Sequence, residues 1–239
     1  METYNLRPLW DAVLDIYKEM YKICERHNLR LYVAFGTALG AVRHHGFIPW
    51  DDDFDIFMPR PDYEKFINYA KDELPSYLKW QSFETDPKCS RIFGKVYDMR
   101  AEKVSDVSAA SNLILKEGIF VDCFPMDGLP STKAGVFLWN VVRSFLRRVV
   151  KADSVTLQKF ITLLDYDRSK NVGWCLSPFR FPRYIYRRSW FGVARMMPFE
   201  NLEVPVPELV EEHLQATYGD FLKLPPVEKR LPSHQLVKH

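Results

Sequence analysis

The sequence predicts a single chain of α and β elements, either one α/β domain or an α/β core with an appended helical part. Three observations carry this. Apolar residues recur at three- and four-residue steps near the N-terminus. Short apolar runs bounded by glycine and proline follow. The composition, 47% apolar and 15% aromatic over 239 residues, fills a core of that size and argues against disorder.

Leu6, Leu9, Trp10, Val13, Leu14, Tyr17, Met20, Tyr21 and Cys24 fall on one face of a helix that ends near His27 and Asn28. Residues 31–35 (LYVAF) read as a short buried strand. Gly36 follows, and Thr37 is placed to cap a helix from Ala38 to His44. Strand, glycine turn and helix N-terminus in that order form an anion-binding arrangement, although glycine often serves such turns for packing alone.

Residues 51–58 (DDDFDIFM) set four aspartates among apolar neighbours. Strand alternation puts Asp53, Asp55 and Phe57 on one face, and Asp52, Phe54, Ile56 and Met58 on the core face. Carboxylates held among apolar residues need a partner, and a divalent cation such as Mg²⁺ or Mn²⁺ fits the Asp53/Asp55 pair. The plainer reading, an acidic turn capping the next helix, suits Asp51 and Asp52 better. Pro61 opens a helix that Pro75 stops. Residues 79–84 and 91–98 alternate as strands, and 102–106 form a short one. Lys95 could reach a phosphate, though a solvated edge lysine is the commoner case.

GIFVDCFPMDGLP (118–130) reads as a central strand with Ile119, Val121 and Cys123 on one side and Phe120, Asp122 and Phe124 on the other. Beside the Asp53/Asp55 strand, Asp122 would be a metal ligand or a general base; the plain alternative is an acceptor for backbone N–H groups. Asp127-Gly128 reads as a turn. Residues 131–151 form a helix with basic residues at its end. Such a helix could lie on an anionic membrane, but packing on the core with its arginines in water is preferred. A second helix covers 153–165, 164–174 is a polar loop, and 183–197 is a basic aromatic helix or loop. Pro207 opens a last helix, Gly219 closes it, and the proline-rich tail is extended.

Net charge is +2, which does not suggest a nucleic-acid binder. It is unevenly spread: residues 131–199 hold 13 Lys/Arg against 3 Asp, leaving the remainder at −8. An anionic ligand between the two parts, or simply solvated arginines, would account for it. The four cysteines are far apart, which fits a reducing cytoplasm rather than a zinc site or disulfide framework. No signal peptide and no transmembrane run is evident.

The stretch GTALGAVRHHGFIPWDDDFDIFMPRPDYEKF closely resembles the signature of the LicD family of phosphotransferases, to which fukutin and fukutin-related protein are similar. GKVYD, EGIFVDCFPMDG, YDRSKNVGW and YGDFLKLPPVEKR extend the likeness along nearly the whole chain, with 131–163 outside it. The resemblance implies an α+β fold: a nucleotidyltransferase-like mixed β-sheet flanked by helices, in 1–130, with an appended helical, substrate-binding part in 131–239. It implies Asp53 and Asp55 as the metal pair, Asp122 as the third acidic position, and Gly36 and Thr37 as the turn after the first strand. It also implies transfer of a substituted phosphoryl group from a CDP-activated donor, such as CDP-choline or CDP-ribitol, to a sugar hydroxyl of a glycan, releasing CMP. Arg43 would help hold the diphosphate, and Trp50, Trp190 and Phe191 would cradle a trimethylammonium head or else belong to the core. The implied place of work is the cytoplasm or the inner face of the membrane. Two other readings stand beside it: nucleotidyl transfer with release of pyrophosphate, and a non-catalytic nucleotide binder.

Overall fold

The computed structural model describes residues 5–86, 89, 91–100, 118–174 and 184–232. The expected strand at 102–106 and Cys175 lie outside them. Helix α1 (Arg7–Arg26) buries Leu9, Val13, Leu14, Tyr17, Met20 and Cys24, the face that the periodicity predicts. β1 (Tyr32–Val33) leads into α2 (Phe35–His44), then β2 (Asp55–Pro59), α3 (Arg60–Glu73), β3 (Leu78–Gln81), β4 (Gly94–Asp98) and β5 (Phe120–Leu129). The C-terminal part adds α4 (Lys133–Arg148), α5 (Ser154–Ile161), β6 (Asn171–Gly173), β7 (Ile185–Arg187), a 3-10 turn (Arg188–Phe191), β8 (Arg195–Phe199), β9 (Leu202–Val206) and α6 (Val210–Tyr218).

The sheet runs β1-β2-β5-β4-β3, and β6 and β7 extend it from the far end of β5. β2 and β5 are parallel and every other pair is antiparallel, so the sheet is mixed. Side-chain alternation splits the core in two. Phe54, Ile56, Met58, Ile119, Val121 and Cys123 join the α1/α3 core, while Phe57, Phe124 and Met126 point into a second, mostly aromatic core. The parity read from the sequence for both strands holds. Yet β2 is buried on both faces, because Tyr166, Trp174, Tyr186 and Phe191 cover the side that carries Asp55.

Several local expectations are corrected. Asp127 and Gly128 lie within β5, paired with β6, rather than in a turn. Asp127 is buried against Arg60, with Nε and Nη2 donating to its two oxygens at 2.7 and 2.9 Å. The 164–174 stretch supplies β6 and two buried aromatics, not only a polar loop. Residues 184–197 form two strands and a 3-10 turn, not a helix. Short strands of three to five residues give too little alternation to be read. Helix α4 also differs: Arg143 is buried, and apolar side chains face out.

His213 on α6 is fully buried against Tyr186, Phe191 and Phe57, and burial pushes its pKa down to about 3. An unfolded histidine takes a proton near pH 6.5. Below that pH the unfolded chain gains a proton that the folded one refuses, so stability falls as pH drops from about 6.5 toward 3. A His213→Phe variant is expected to lose this dependence, flattening the acid limb by up to ~1.4 kcal/mol per pH unit in urea titrations.

Candidate active site

The site is built where β1 turns into α2 and where β2 and β5 begin. Phe35 opens α2 at φ +42°, a left-handed backbone that a phenylalanine rarely takes. Its ring is held edge-on by Phe57, Phe124 and Tyr184, with centroids 4.8 to 5.4 Å apart. Strain kept in place by packing is a mark of functional corners. The helix starts three residues earlier than Thr37 would have capped it. Thr37 instead accepts the backbone N–H of Asp55 through Oγ1 at 2.9 Å, and the Ala34 N–H donates to the Asp55 carbonyl at 2.9 Å. The helix N-terminus is therefore pinned to the first residue of β2. A side chain at Gly36 would stand 2.4 Å from Asp51 Oδ2, so the space over the glycine belongs to a carboxylate.

Registration across three strands sets the centre of the site. Asp55 pairs with Asp122, and Asp122 with Lys95, so that the three side chains share a face on adjacent strands. Asp55 is the first residue of β2; Asp53 sits in the segment before the strand, which begins three residues after Asp52, where the alternation starts. Lys95 is no edge lysine, since β4 runs between β5 and β3 and the side chain is buried. Its Nζ lies 3.2 Å from Asp122 Oδ1 and 3.3 Å from the centre of the Phe120 ring, which makes it the counter-ion of Asp122.

The electrostatics are dominated by excess negative charge. Burial, then repulsion from Asp53, Asp122 and Asp51, holds the Asp55 carboxyl well above the usual range, and Lys95 offsets only part of this. Burial also raises Asp122, to about 6, against the lowering pull of Lys95. Among the described residues no group of three or more His, Cys, Asp or Glu side chains is placed to hold a metal ion by itself. The donor set nonetheless fits Mg²⁺ or Mn²⁺. Such ions take one or two hard carboxylates and complete their shell with water and phosphate oxygens. A cation bound there would offset the repulsion that, after burial, raises Asp55.

The remaining predicted residues separate. Arg43, at the end of α2, donates from Nη1 to the Phe221 carbonyl at 2.8 Å, and burial lowers its pKa against the opposing pull of Tyr218 and Asp51. Trp50 packs edge-on to His44, and the Arg230 guanidinium stands 5.3 Å from its ring. Trp190 lines a groove of about 500 Å³ with Phe221, Glu211, Glu212, Gln215 and Ala216. Phe191 is a core residue, not part of a cage: it is buried, with Tyr32, Phe57, Tyr186 and His213 around its ring. Sequence reasoning missed Tyr218. Although half-exposed, it has a phenol driven well above its ordinary pKa by burial and by the nearby carboxylates of Asp51 and Asp55. Its place on α6, about 165 residues away, leaves no local signal.

A mixed sheet flanked by helices, with carboxylates gathered where β2 and β5 begin, is the arrangement that the resemblance to LicD proteins implies. The family model described as LicD/FKTN/FKRP, nucleotidyltransferase domain, matches residues 28–132, from just before β1 to the start of α4. The chain is also similar to Lipopolysaccharide cholinephosphotransferase LicD of Haemophilus influenzae, 28% identical over 264 residues that cover 98% of this chain and 97% of the relative. Two uncharacterised proteins, from Rickettsia prowazekii and Rickettsia typhi, are each 37% identical over 51 residues, or 21% of this chain and 19% and 16% of theirs. Residues 28–132 are thus similar to the LicD/FKTN/FKRP nucleotidyltransferase domain, and the likeness to the Haemophilus LicD protein runs along nearly the whole chain.

Proposed function

We propose that the protein is a metal-dependent phosphotransferase. It moves phosphocholine, or a similar alcohol phosphate, from a CDP-activated donor to a sugar hydroxyl of a cell-surface or lipid-linked glycan and releases CMP. The observation that carries this reading is the Asp55–Asp122–Lys95 row beside Asp53, in a chain similar end to end to a lipopolysaccharide cholinephosphotransferase.

Phosphoryl transfer asks the protein for charge neutralisation and positioning more than for covalent chemistry. Asp53 and Asp55 would hold Mg²⁺ or Mn²⁺, which when bound neutralises charge on the donor diphosphate. Asp122 takes the proton from the acceptor hydroxyl, and Lys95 keeps that carboxylate in place. A carboxyl with a pKa of about 6 suits this task near neutral pH. Gly36 and Thr37 in the first turn of α2 offer backbone N–H groups to the donor phosphates, while Arg43, at the other end of the helix on the Phe221 carbonyl, stands apart from them. The Trp190 groove, with Phe221 and two glutamates, offers a π-face and negative charge to a quaternary ammonium. Cys24, Cys89 and Cys123 are buried free thiols, in keeping with work in the cytoplasm.

The test is incubation of the full chain and Mg²⁺ or Mn²⁺ with a panel of CDP-alcohols and a glycan acceptor, followed by mass analysis. CMP together with an acceptor heavier by the alcohol phosphate is expected. Pyrophosphate from a nucleoside triphosphate, with nucleotide left on the acceptor, would establish nucleotidyl transfer instead. Binding of CDP-alcohols without any turnover would make the chain a nucleotide-binding protein.

A further inference from the structure

Helix α4 begins where the family match ends, at residue 132. It holds to the body of the protein by one face only: Val136, Asn140 and Arg143 are buried, and Trp139 stacks on Phe160 of α5 at 4.3 Å. The opposite face is apolar and open to solvent. Leu138, Val141, Val142 and Phe145 are 61, 42, 37 and 53% exposed, and Val149 and Val150, just past the helix, continue the stripe. A helix turns 100° per residue, so positions 138, 141, 142 and 145 form one band, about 180° from the buried band at 136, 140 and 143. Residues 131–152 contain Lys133, Arg143, Arg147, Arg148 and Lys151 and no acidic residue.

We propose that this outer face of α4, with the Val149-Val150 turn, docks the protein on the surface of an anionic lipid bilayer. Single exposed apolar residues are ordinary, but a continuous band of this kind marks an interaction surface. Charge decides the occupant. A second copy packed through the same face would bring no acidic group to it, since residues 131–152 contain none, and would set like charge near like charge. A bilayer takes the apolar band into the acyl boundary while the long basic side chains reach lipid phosphates at its edge. The 16-residue helix, about 24 Å long and with the four exposed basic residues Lys133, Arg147, Arg148 and Lys151 in and around it, lies on the membrane rather than through it. Among the described residues no helix is long and apolar enough to cross.

The proposal stands on α4 and does not depend on the identity of the donor. If the acceptor is lipid-linked, docking brings the site to the surface where the acceptor resides. The experiment is co-sedimentation of the purified full chain with vesicles of phosphatidylcholine alone or with about one-third phosphatidylglycerol added. At least tenfold stronger partitioning onto the anionic vesicles is expected, weakening as salt rises. Leu138→Glu with Phe145→Glu should lower it tenfold or more, and the milder Leu138→Ala with Phe145→Ala should lower it severalfold. Arg147→Glu with Lys151→Glu should abolish the anionic preference. All three double variants should keep the far-ultraviolet circular dichroism of the parent. Equal binding to both vesicle types, binding that none of the variants weakens, or a dimer in solution that the same variants dissociate would overturn it.

Discussion

Replacing Asp55 by asparagine is expected to abolish CMP release, by ~10³-fold or more, in a protein that stays folded. Asp53→Asn should do the same. The two properties should diverge further at Asp55. In the folded chain its pKa is raised by burial and by Asp53, Asp122 and Asp51. Stability from that group is therefore fully present only at low pH and is lost as pH rises toward and through the folded pKa. Asparagine carries no such penalty, so at neutral pH without metal the variant should melt at the same temperature as the parent or above it. Adding Mg²⁺ should raise the melting temperature of the parent and leave the variant unmoved. Metal-dependent CMP release retained by either variant would sink the assignment.

The largest stability effect is expected at Arg60, outside the carboxylate row. Its guanidinium meets Asp127 through two hydrogen bonds with both side chains buried. Arg60→Met strands a buried carboxylate, which should cost roughly 3–5 kcal/mol in urea unfolding. Arg60→Met combined with Asp127→Leu should recover most of that loss, because a buried pair contributes less than breaking half of it costs. A single variant within about 1 kcal/mol of the parent would show that the pair is not structural.

Much of this was legible in the sequence, because alternation is local. The parity of Phe54, Ile56 and Met58 against Phe57, and of Val121 and Cys123 against Phe124, could be read residue by residue and returns in the two cores. Partnerships between distant segments could not. Nothing local tells that Lys95 lies on an interior strand beside Asp122, or that Tyr218 stands close to Asp51 and Asp55. Phe191 and Trp190 show the same limit. Adjacent aromatics in one basic stretch looked alike, yet the 3-10 turn sends one into the core and leaves the other lining a groove. Asp127-Gly128 has turn chemistry in its residue types, and a buried arginine overrides it.

The parallel pairing of β2 with β5 has a consequence for how the protein is made. Asp55 faces Asp122, Met58 faces Pro125, and Arg60 reaches Asp127, all across the same offset of 67 residues. No hairpin can bring these segments together. The intervening chain, with α3, β3 and β4, must close as one large loop before the first of those contacts forms. The acidic centre should therefore mature late in refolding. In stopped-flow experiments metal affinity should appear with the slow phase that completes the sheet, after the helices have already formed.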